Sequence, residues 1–308
     1  MAIPTAQRNE ALSVRKSTLF VLARLFWAFV FAASFAAVAP EAKVRVFVSI
    51  PPQALFVERV GGDRVDVSVF VKPGQSHETY EPTPKQMADL SKAQLYFRVG
   101  APFEIGLAPK IQSGYPHLPI VDTAQGIQLR KMTEDEAHHA DADSAAGGDD
   151  PHTWLDPMLV KIQAKSIAEA LKRIDPSHAA DYGKNLASFQ ADLDAVNAKI
   201  AAKLAPFKGR AFFVFHPAFG YFADRYGLKQ EAIEVAGREP TAKELVAIID
   251  KARGQKIHVI FTQPAFAQMT ANAVAQALGA RIETLDPLAP DYLKNLETMA
   301  DLVAQSFG

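Results

Sequence analysis

The chain has 308 residues, of which 49% are hydrophobic and 22% are charged, and its formal net charge is -1. This composition is typical of a globular protein, and the length is enough for two modest domains. A charge so close to zero excludes the strong positive field of a nucleic-acid-binding protein. The chain has no cysteine, so an exported form would fold without disulfides and could carry no lipid on an N-terminal cysteine.

Residues 1–39 have the pattern of a secretory signal peptide. Basic residues precede an apolar run over 25–37, and Ala37-Val38-Ala39 is a small-x-small cleavage site. The alternative is a transmembrane anchor, but the uninterrupted apolar run is shorter than the roughly 20 residues that a spanning helix needs. We therefore predict a soluble periplasmic protein without a lipid anchor.

Strands and helices are predicted to alternate in the first part of the exported chain. Short runs rich in β-branched and aromatic residues predict buried strands at 44–50, 65–71, 95–99 and 118–121, with helices at 53–60 and 84–91. This alternation indicates a parallel sheet covered on both faces, forming an N-terminal α/β lobe over residues 43–174. Within it, residues 133–150 are acidic, contain His138 and His139, and include no large apolar side chain, so we expect a mobile loop there.

A long helix of about 30 residues is predicted over 175–205. Asp175 is a suitable N-cap and Pro176 a suitable first residue, and apolar residues then recur at steps of three and four through Leu204. Its position between two series of strands predicts a rigid connection between two lobes, although an ordinary long helix within one domain would give the same pattern.

A second series of strands and helices predicts a C-terminal α/β lobe over residues 206–308. The strands are expected at 211–215, 232–235, 257–261 and 282–285, and the helices at 241–253, 270–278 and 292–305. A faint repeat relates the two halves at one fixed offset, since Pro51, Phe56, Arg59 and Gly61 recur as Pro217, Phe222, Arg225 and Gly227. Two facing α/β halves would leave a cleft, and open α/β sheets bind ligands beyond the carboxyl ends of their strands.

Three histidines and one aspartate stand near predicted strand ends in distinctive local sequences. His77 follows a Pro-Gly turn, His152 lies in Asp-Pro-His-Thr-Trp, and His216 and Asp286 each follow an apolar strand. Each signal is weak alone, because a single loop histidine is usually polar surface. Together they favour one site, and three neutral imidazoles with one carboxylate suit Zn²⁺, or less well Mn²⁺.

Carboxylates near these residues are candidates for orienting the imidazole rings. A ligating histidine normally donates its other ring N–H to a carboxylate or carbonyl, and Glu78, Asp156 and Glu234 are available for this. Asp156 has an alternative role as the N-cap of the helix that follows it.

The local sequences around these residues resemble those of the metal-binding solute receptors of bacterial ABC transporters, most closely the zinc-uptake branch. The matching segments are Lys72-Pro-Gly-Gln-Ser-His77-Glu-Thr-Tyr80-Glu-Pro-Thr-Pro84, Asp150-Pro-His152-Thr-Trp-Leu-Asp-Pro157, Phe215-His216-Pro-Ala-Phe-Gly220 with its continuation to Gly227, and Leu285-Asp-Pro-Leu288. The resemblance spans essentially the whole exported chain in order.

This resemblance implies two α/β lobes joined by a rigid long helix, with the metal in the cleft and an inner-membrane ABC permease as partner of a monomeric receptor. It also implies that His77, His152 and His216 are the histidine ligands, and that Asp286 occupies the position that supplies a carboxylate in many members. A histidine rather than a glutamate as third ligand favours zinc over manganese.

Two departures from the family pattern leave the fourth ligand open between Asp286 and a water molecule. Ser76 precedes His77 where some zinc receptors have an acid, and Gln263 stands where a glutamate is common. The acidic loop resembles the histidine-rich loop of zinc receptors but is short, and a plain solvated linker is an equal alternative. The remaining histidines His117, His178 and His258 match no motif and are interpreted as structural or surface residues.

Other functions remain possible at this level. The same ligand set would suit a manganese receptor of the same type. It would also suit a zinc hydrolase, although the chain lacks a His-Glu-x-x-His motif and no enzyme is predicted, or an adhesin stabilised by metal. A receptor for an organic solute is disfavoured, because such sites are usually lined by aromatic and mixed polar groups.

Overall fold

The computed structural model describes residues 42–132, 148–234, 240–265 and 269–308. Residues from Lys43 to Gly308 form one compact unit. The predicted signal peptide and residues 133–147 of the predicted acidic loop lie outside the described residues. Within the described part of the chain, no helix is long and apolar enough to cross a membrane.

The N-terminal lobe is built on a parallel sheet. Its strands are β1 (Val44–Val48), β2 (Val65–Val69), β3 (Leu95–Arg98) and β4 (Ile120–Asp122), in the order β2-β1-β3-β4. The helices associated with this part of the chain are α1 (Pro51–Gly61), α2 (Pro84–Leu90), α3 (Pro102–Gly114) and α4 (Pro157–Ile174). Each of these helices has a proline in its first turn. Proline is tolerated there because a backbone N–H at the first helical position would have no partner within the helix.

The C-terminal lobe repeats this arrangement. Its strands are β5 (Ala211–Val214), β6 (Lys229–Ala232), β7 (Val259–Thr262) and β8 (Arg281–Thr284), in the parallel order β6-β5-β7-β8. The associated helices are α6 (Gly220–Tyr226), α7 (Ala242–Gly254), α8 (Met269–Leu278) and α9 (Tyr292–Gln305). The identical strand order accounts for the faint repeat in the sequence, since α1 follows β1 as α6 follows β5.

The long helix α5 (Ala179–Leu204) lies between the two series of strands in the sequence. It packs on α1 and α4 and also on α9. Phe189 of α5 contacts Phe56, whose ring lies 4.8 Å from that of Tyr292. One continuous hydrophobic core therefore includes residues of both lobes and the helix between them, and the predicted fold class is confirmed.

The start of the long helix differs from the prediction. Residues Pro176–His178 form a turn of 3-10 helix, and the α-helix begins only at Ala179. The Asp175 carboxylate accepts hydrogen bonds from the side chains of Ser177, His178 and Tyr182. Asp175 therefore ties side chains together and caps no backbone N–H of the helix.

The prediction of a strand at 232–235 is wrong, because β6 runs from Lys229 to Ala232. This strand lies at the edge of the sheet and is polar, so a search for apolar runs misses it. Ile233 comes directly after the strand and is buried in a smaller core beneath the C-terminal sheet. Ile233, an apolar residue used for the prediction, thus lies beyond the strand and not within it.

Glu104 is a buried carboxylate outside the histidine cluster. Its two oxygens accept the backbone N–H groups of Val99 and Gly100 at 2.9 and 2.8 Å, which fixes the loop at the carboxyl end of β3. Burial raises the pKa of Glu104 from 4.5 to about 7, although these hydrogen bonds oppose the change.

We predict that Glu104 makes the protein less stable as the pH rises from about 4.5 to about 7. Over this range the folded chain keeps a proton that the unfolded chain has released, so the free energy of unfolding falls, by at most about 3 kcal/mol. Urea unfolding of chelator-treated protein at pH 5 and pH 8 measures the fall. Glu104→Gln should reduce it, whereas Glu58→Gln at an exposed position should not.

Candidate metal centre

Loops at the ends of strands carry the residues of the site. His77 lies in the loop between β2 and α2, and His152 lies just before a 3-10 turn that leads into α4. His216 follows β5, the strand that pairs with both β6 and β7, and Asp286 lies between β8 and α9. The first two residues come from the N-terminal lobe and the last two from the C-terminal lobe.

The three histidines converge in the folded chain and are buried, with at most 2% of each exposed. The Nε2 atoms of His77 and His152 are 3.1 Å apart, and the rings of His152 and His216 are 5.7 Å apart. Zinc–nitrogen bonds of 2.0–2.1 Å place two ligand nitrogens of a tetrahedral site about 3.3 Å apart. The separation between His77 and His152 therefore suits two ligands of one ion.

Carboxylates lie on both sides of the His216 ring. Its Nδ1 is 2.7 Å from Glu234 Oε2, and its Nε2 is 2.9 Å from Glu78 Oε1. Burial opposes a charge on this imidazole, but the two carboxylates outweigh burial and raise the pKa of His216 to about 9. Conversely, His216 holds the pKa of Glu78 well below its usual range, against the effect of burial.

The environment of His77, in contrast, favours the neutral imidazole. Burial, together with the neighbouring His152 ring, lowers the pKa of His77 to about 3. Its imidazole is therefore neutral at physiological pH, and neutral imidazole is the form that binds a metal ion.

Asp150 orients the His152 ring. Its Oδ1 lies 2.8 Å from His152 Nδ1 and also accepts the backbone N–H of His152 at 2.9 Å. Its Oδ2 accepts a hydrogen bond from Arg130, which also contacts Asp224. These bonds leave Nε2 of His152 to face His77, as expected for a ligating histidine held by a carboxylate.

The predicted carboxylates thus have different roles. Glu234 and Glu78 contact His216, whereas Asp156 contacts none of the three histidines through a described hydrogen bond. Asp156 accepts the N–H of Met158, so its alternative role as a helix cap is confirmed. It also forms a bidentate ion pair with Arg225 of α6.

Asp286 makes no described hydrogen bond or ion pair with the three histidines. It lines a small cavity together with His77 and Gln263, and its Oδ1 accepts the N–H of Leu288 at 2.9 Å. Gln263 donates its side-chain N–H to the carbonyl oxygen of His216 at 2.7 Å. The glutamine that departs from the family pattern therefore holds the backbone of a histidine.

Sequence reasoning missed Asp150 as the partner of His152. Its position two residues before the histidine was the available signal, because an aspartate at that spacing can reach both the backbone N–H and the ring. Trp154 lies two residues after His152 in the sequence. Its indole N–H donates to the carbonyl oxygen of Pro287 and so links the two lobes beside the site.

The histidines without a motif lie elsewhere. His117 and His258 are exposed, and His178 contacts Asp175 at the start of the long helix.

We predict that Asp150→Asn weakens Zn²⁺ binding about 10–100-fold, the usual effect of losing a carboxylate behind a ligating histidine. The neutral amide oxygen of asparagine accepts the hydrogen bond from His152 Nδ1 less strongly than a carboxylate does, so the ring is held less firmly in one tautomer. Competition with a chelating dye measures the change. The matched control is Asp149→Asn, because the neighbouring aspartate is half-exposed and pairs with Lys131; an equal loss in both variants would contradict the assigned role.

Comparison with known proteins agrees with this geometry. The family model described as zinc-uptake complex component A, periplasmic (ZnuA), matches residues 46–306. The high-affinity zinc uptake system protein ZnuA of Bacillus subtilis (strain 168) is 28% identical over 253 residues, which cover 80% of this chain and 79% of that protein.

Solved structures give the same result. A crystal structure of ZnuA superposes with a TM-score of 0.81 at 41% identity, covering 87% of this chain and 100% of that one. A zinc-bound deletion mutant of ZnuA has a TM-score of 0.79 at 39% identity, covering 86% and 98%. The chain therefore belongs to the ZnuA family of periplasmic zinc-uptake components, whose members are transport receptors and not enzymes.

Proposed function

We propose that this chain is a high-affinity periplasmic receptor that binds one Zn²⁺ ion and delivers it to an ABC-type permease of the inner membrane for import. The observation that carries the proposal is the convergence of His77, His152 and His216 in one buried cluster. Family membership supplies the transport role, and the cluster supplies a suitable place for the ion.

Zinc is the cargo that the donor atoms fit best. Imidazole nitrogens suit Zn²⁺, whereas Mn²⁺ is better served by oxygen ligands. A manganese receptor of the same type is the second candidate, since Glu78 and Asp286 offer oxygen close to the histidines. The fourth ligand predicted from the sequence, Asp286 or a water molecule, stays a prediction.

The remaining organisation is proposed from the sequence. Residues 1–39 would direct export, 43–174 and 206–308 would form the two lobes, and 175–205 would join them. The exported chain would be a soluble monomer, without the cysteine that lipid attachment needs. The acidic segment predicted over 133–150, with His138 and His139, would gather metal near the site or serve as a solvated linker. The end of this prediction is wrong, because Asp150 is buried and contacts His152.

Two other functions fit the ligand chemistry less well. A hydrolase conflicts with membership in a family of receptors. An adhesin with a structural ion would need metal to fold, yet the main hydrophobic core extends through both lobes around α5 and does not depend on the histidines. A receptor must fold before it binds its cargo. Because this core is continuous without the ion, we expect the metal-free protein to be folded.

We predict that chelator-treated protein is folded and binds one Zn²⁺ per chain with a change in tryptophan fluorescence. Trp154 is the only tryptophan beyond the predicted signal peptide, and its ring lies 5.4 Å from that of His77 and 5.2 Å from that of His152. Fluorescence titration together with calorimetry gives the stoichiometry and the affinity. A second, weaker ion would indicate binding by the acidic segment.

His216→Ala should lower the Zn²⁺ affinity about 100-fold or more, because it removes a ligand and not only a partner behind one. His117→Ala, at an exposed position far from any motif, is the control and should bind normally. Absence of saturable binding by the unmodified protein, or unfolding on removal of metal, would refute the receptor function. Higher affinity for Mn²⁺ than for Zn²⁺ would establish the second candidate.

A further inference from the structure

Glu78 is the residue that connects the two halves of the candidate metal centre. A carboxylate oxygen of Glu78, a ring nitrogen of His77 and a ring nitrogen of His152 all lie within 4.8 Å of one another. The same side chain reaches His216 across the lobes, with Oε1 2.9 Å from Nε2. One carboxylate is thus close to all three histidines.

The local backbone explains how two successive side chains reach one site. The hydroxyl of Ser76 accepts the backbone N–H of Glu78 at 3.2 Å, closing a tight turn around His77. This turn directs His77 and Glu78 toward the same place, and only 9% of the Glu78 side chain is exposed. Ser76, which replaces an acid found in some relatives, therefore helps to place an acid two residues further on.

Two separations between donor atoms are close to the spacing in a tetrahedral site. The contact between His77 and His152 is 3.1 Å and that between Glu78 and His216 is 2.9 Å, both near the spacing of about 3.3 Å expected between neighbouring ligands of one zinc ion. In two of the rings the Nδ1 atom is held by a carboxylate, since Nδ1 of His152 contacts Asp150 and Nδ1 of His216 contacts Glu234. Nε2 of His152 lies against His77, and Nε2 of His216 lies against Glu78, so both atoms face the cluster.

Asp286 is less suitably placed. One of its oxygens accepts the Leu288 N–H, and its side chain lines the cavity next to His77 without a described contact to any of the three histidines.

We propose that the Glu78 carboxylate is the fourth ligand of the bound ion and completes a tetrahedral set with Nε2 of His77, His152 and His216. The ion then replaces the contact between Glu78 and His216, and any proton that this contact holds leaves to solvent. This inference rests on the proposed function, since it concerns the cargo ion of that receptor. A His₃Glu set without an open position suits tight binding of Zn²⁺ and no hydrolysis.

Azide binding to protein-bound Co²⁺ tests this assignment, because azide can bind only where the ion has a coordination position not filled by the protein. Chelator-treated protein is loaded with Co²⁺, and its visible absorption is followed as azide is added. The unmodified protein should not respond, because four protein ligands fill the coordination sphere. Glu78→Ala should create an open position, so azide should produce a saturable spectral change, and Zn²⁺ affinity should fall at least 10–100-fold.

The comparison variants separate the possible outcomes. Glu81→Ala removes an exposed acid three residues away and should behave as the unmodified protein. An azide response in Asp286→Ala, with none in Glu78→Ala, would overturn the assignment in favour of Asp286. An azide response in the unmodified protein would overturn it in favour of a bound water.

A direct measurement covers the case in which Glu78→Ala does not fold. In crystals of the unmodified zinc-loaded protein, a Glu78 oxygen should lie about 2.0–2.2 Å from the ion, and a separation beyond 3 Å would refute the assignment. Failure of the receptor function itself is recognised separately, since then the unmodified protein would bind no zinc or His77→Ala would have no effect.

Discussion

The packing of the long helix α5 against helices of both lobes is the constraint on which the rest of the molecule depends. Phe189 of this helix contacts Phe56, and Phe56 in turn contacts Tyr292 near the C-terminus. Because this core is continuous, the loops that follow the strands of the two sheets are held at a fixed separation. Side chains from different lobes can therefore meet within hydrogen-bond distance, as Glu78 and His216 do.

Polar contacts near the site reinforce this arrangement. Arg130 contacts Asp150 and Asp224, and the Tyr221 hydroxyl donates to the carbonyl oxygen of Asp150. A Cβ at Gly220 would overlap the guanidinium of Arg130 and lie 2.8 Å from the Asp150 carboxylate. The absence of a side chain at this position thus allows the C-terminal lobe to approach the residue that orients His152.

The carboxylates around the candidate metal centre favour a cation. The buried imidazoles carry carboxylates behind them, since Asp150 contacts His152 and Glu234 contacts His216. These acids favour positive charge at the cluster, whether it comes from a proton on His216 or from a metal ion. A divalent cation satisfies several donors at once, whereas a proton satisfies one pair, and this difference lets a small buried site bind metal tightly.

The sequence by itself determined the class of fold, the family and the identity of the clustered histidines. Strand and helix periodicities depend on neighbouring residues, and Asp-Pro-His-Thr-Trp and Phe-His-Pro are local signals, so both can be read along the chain. Only the tertiary structure decided which carboxylate meets which imidazole. Glu78 and His216 are far apart in sequence, and their contact follows from the packing of two lobes around α5. The polar edge strand β6 was missed for a related reason, because pairing with β5 and not local hydrophobicity defines it.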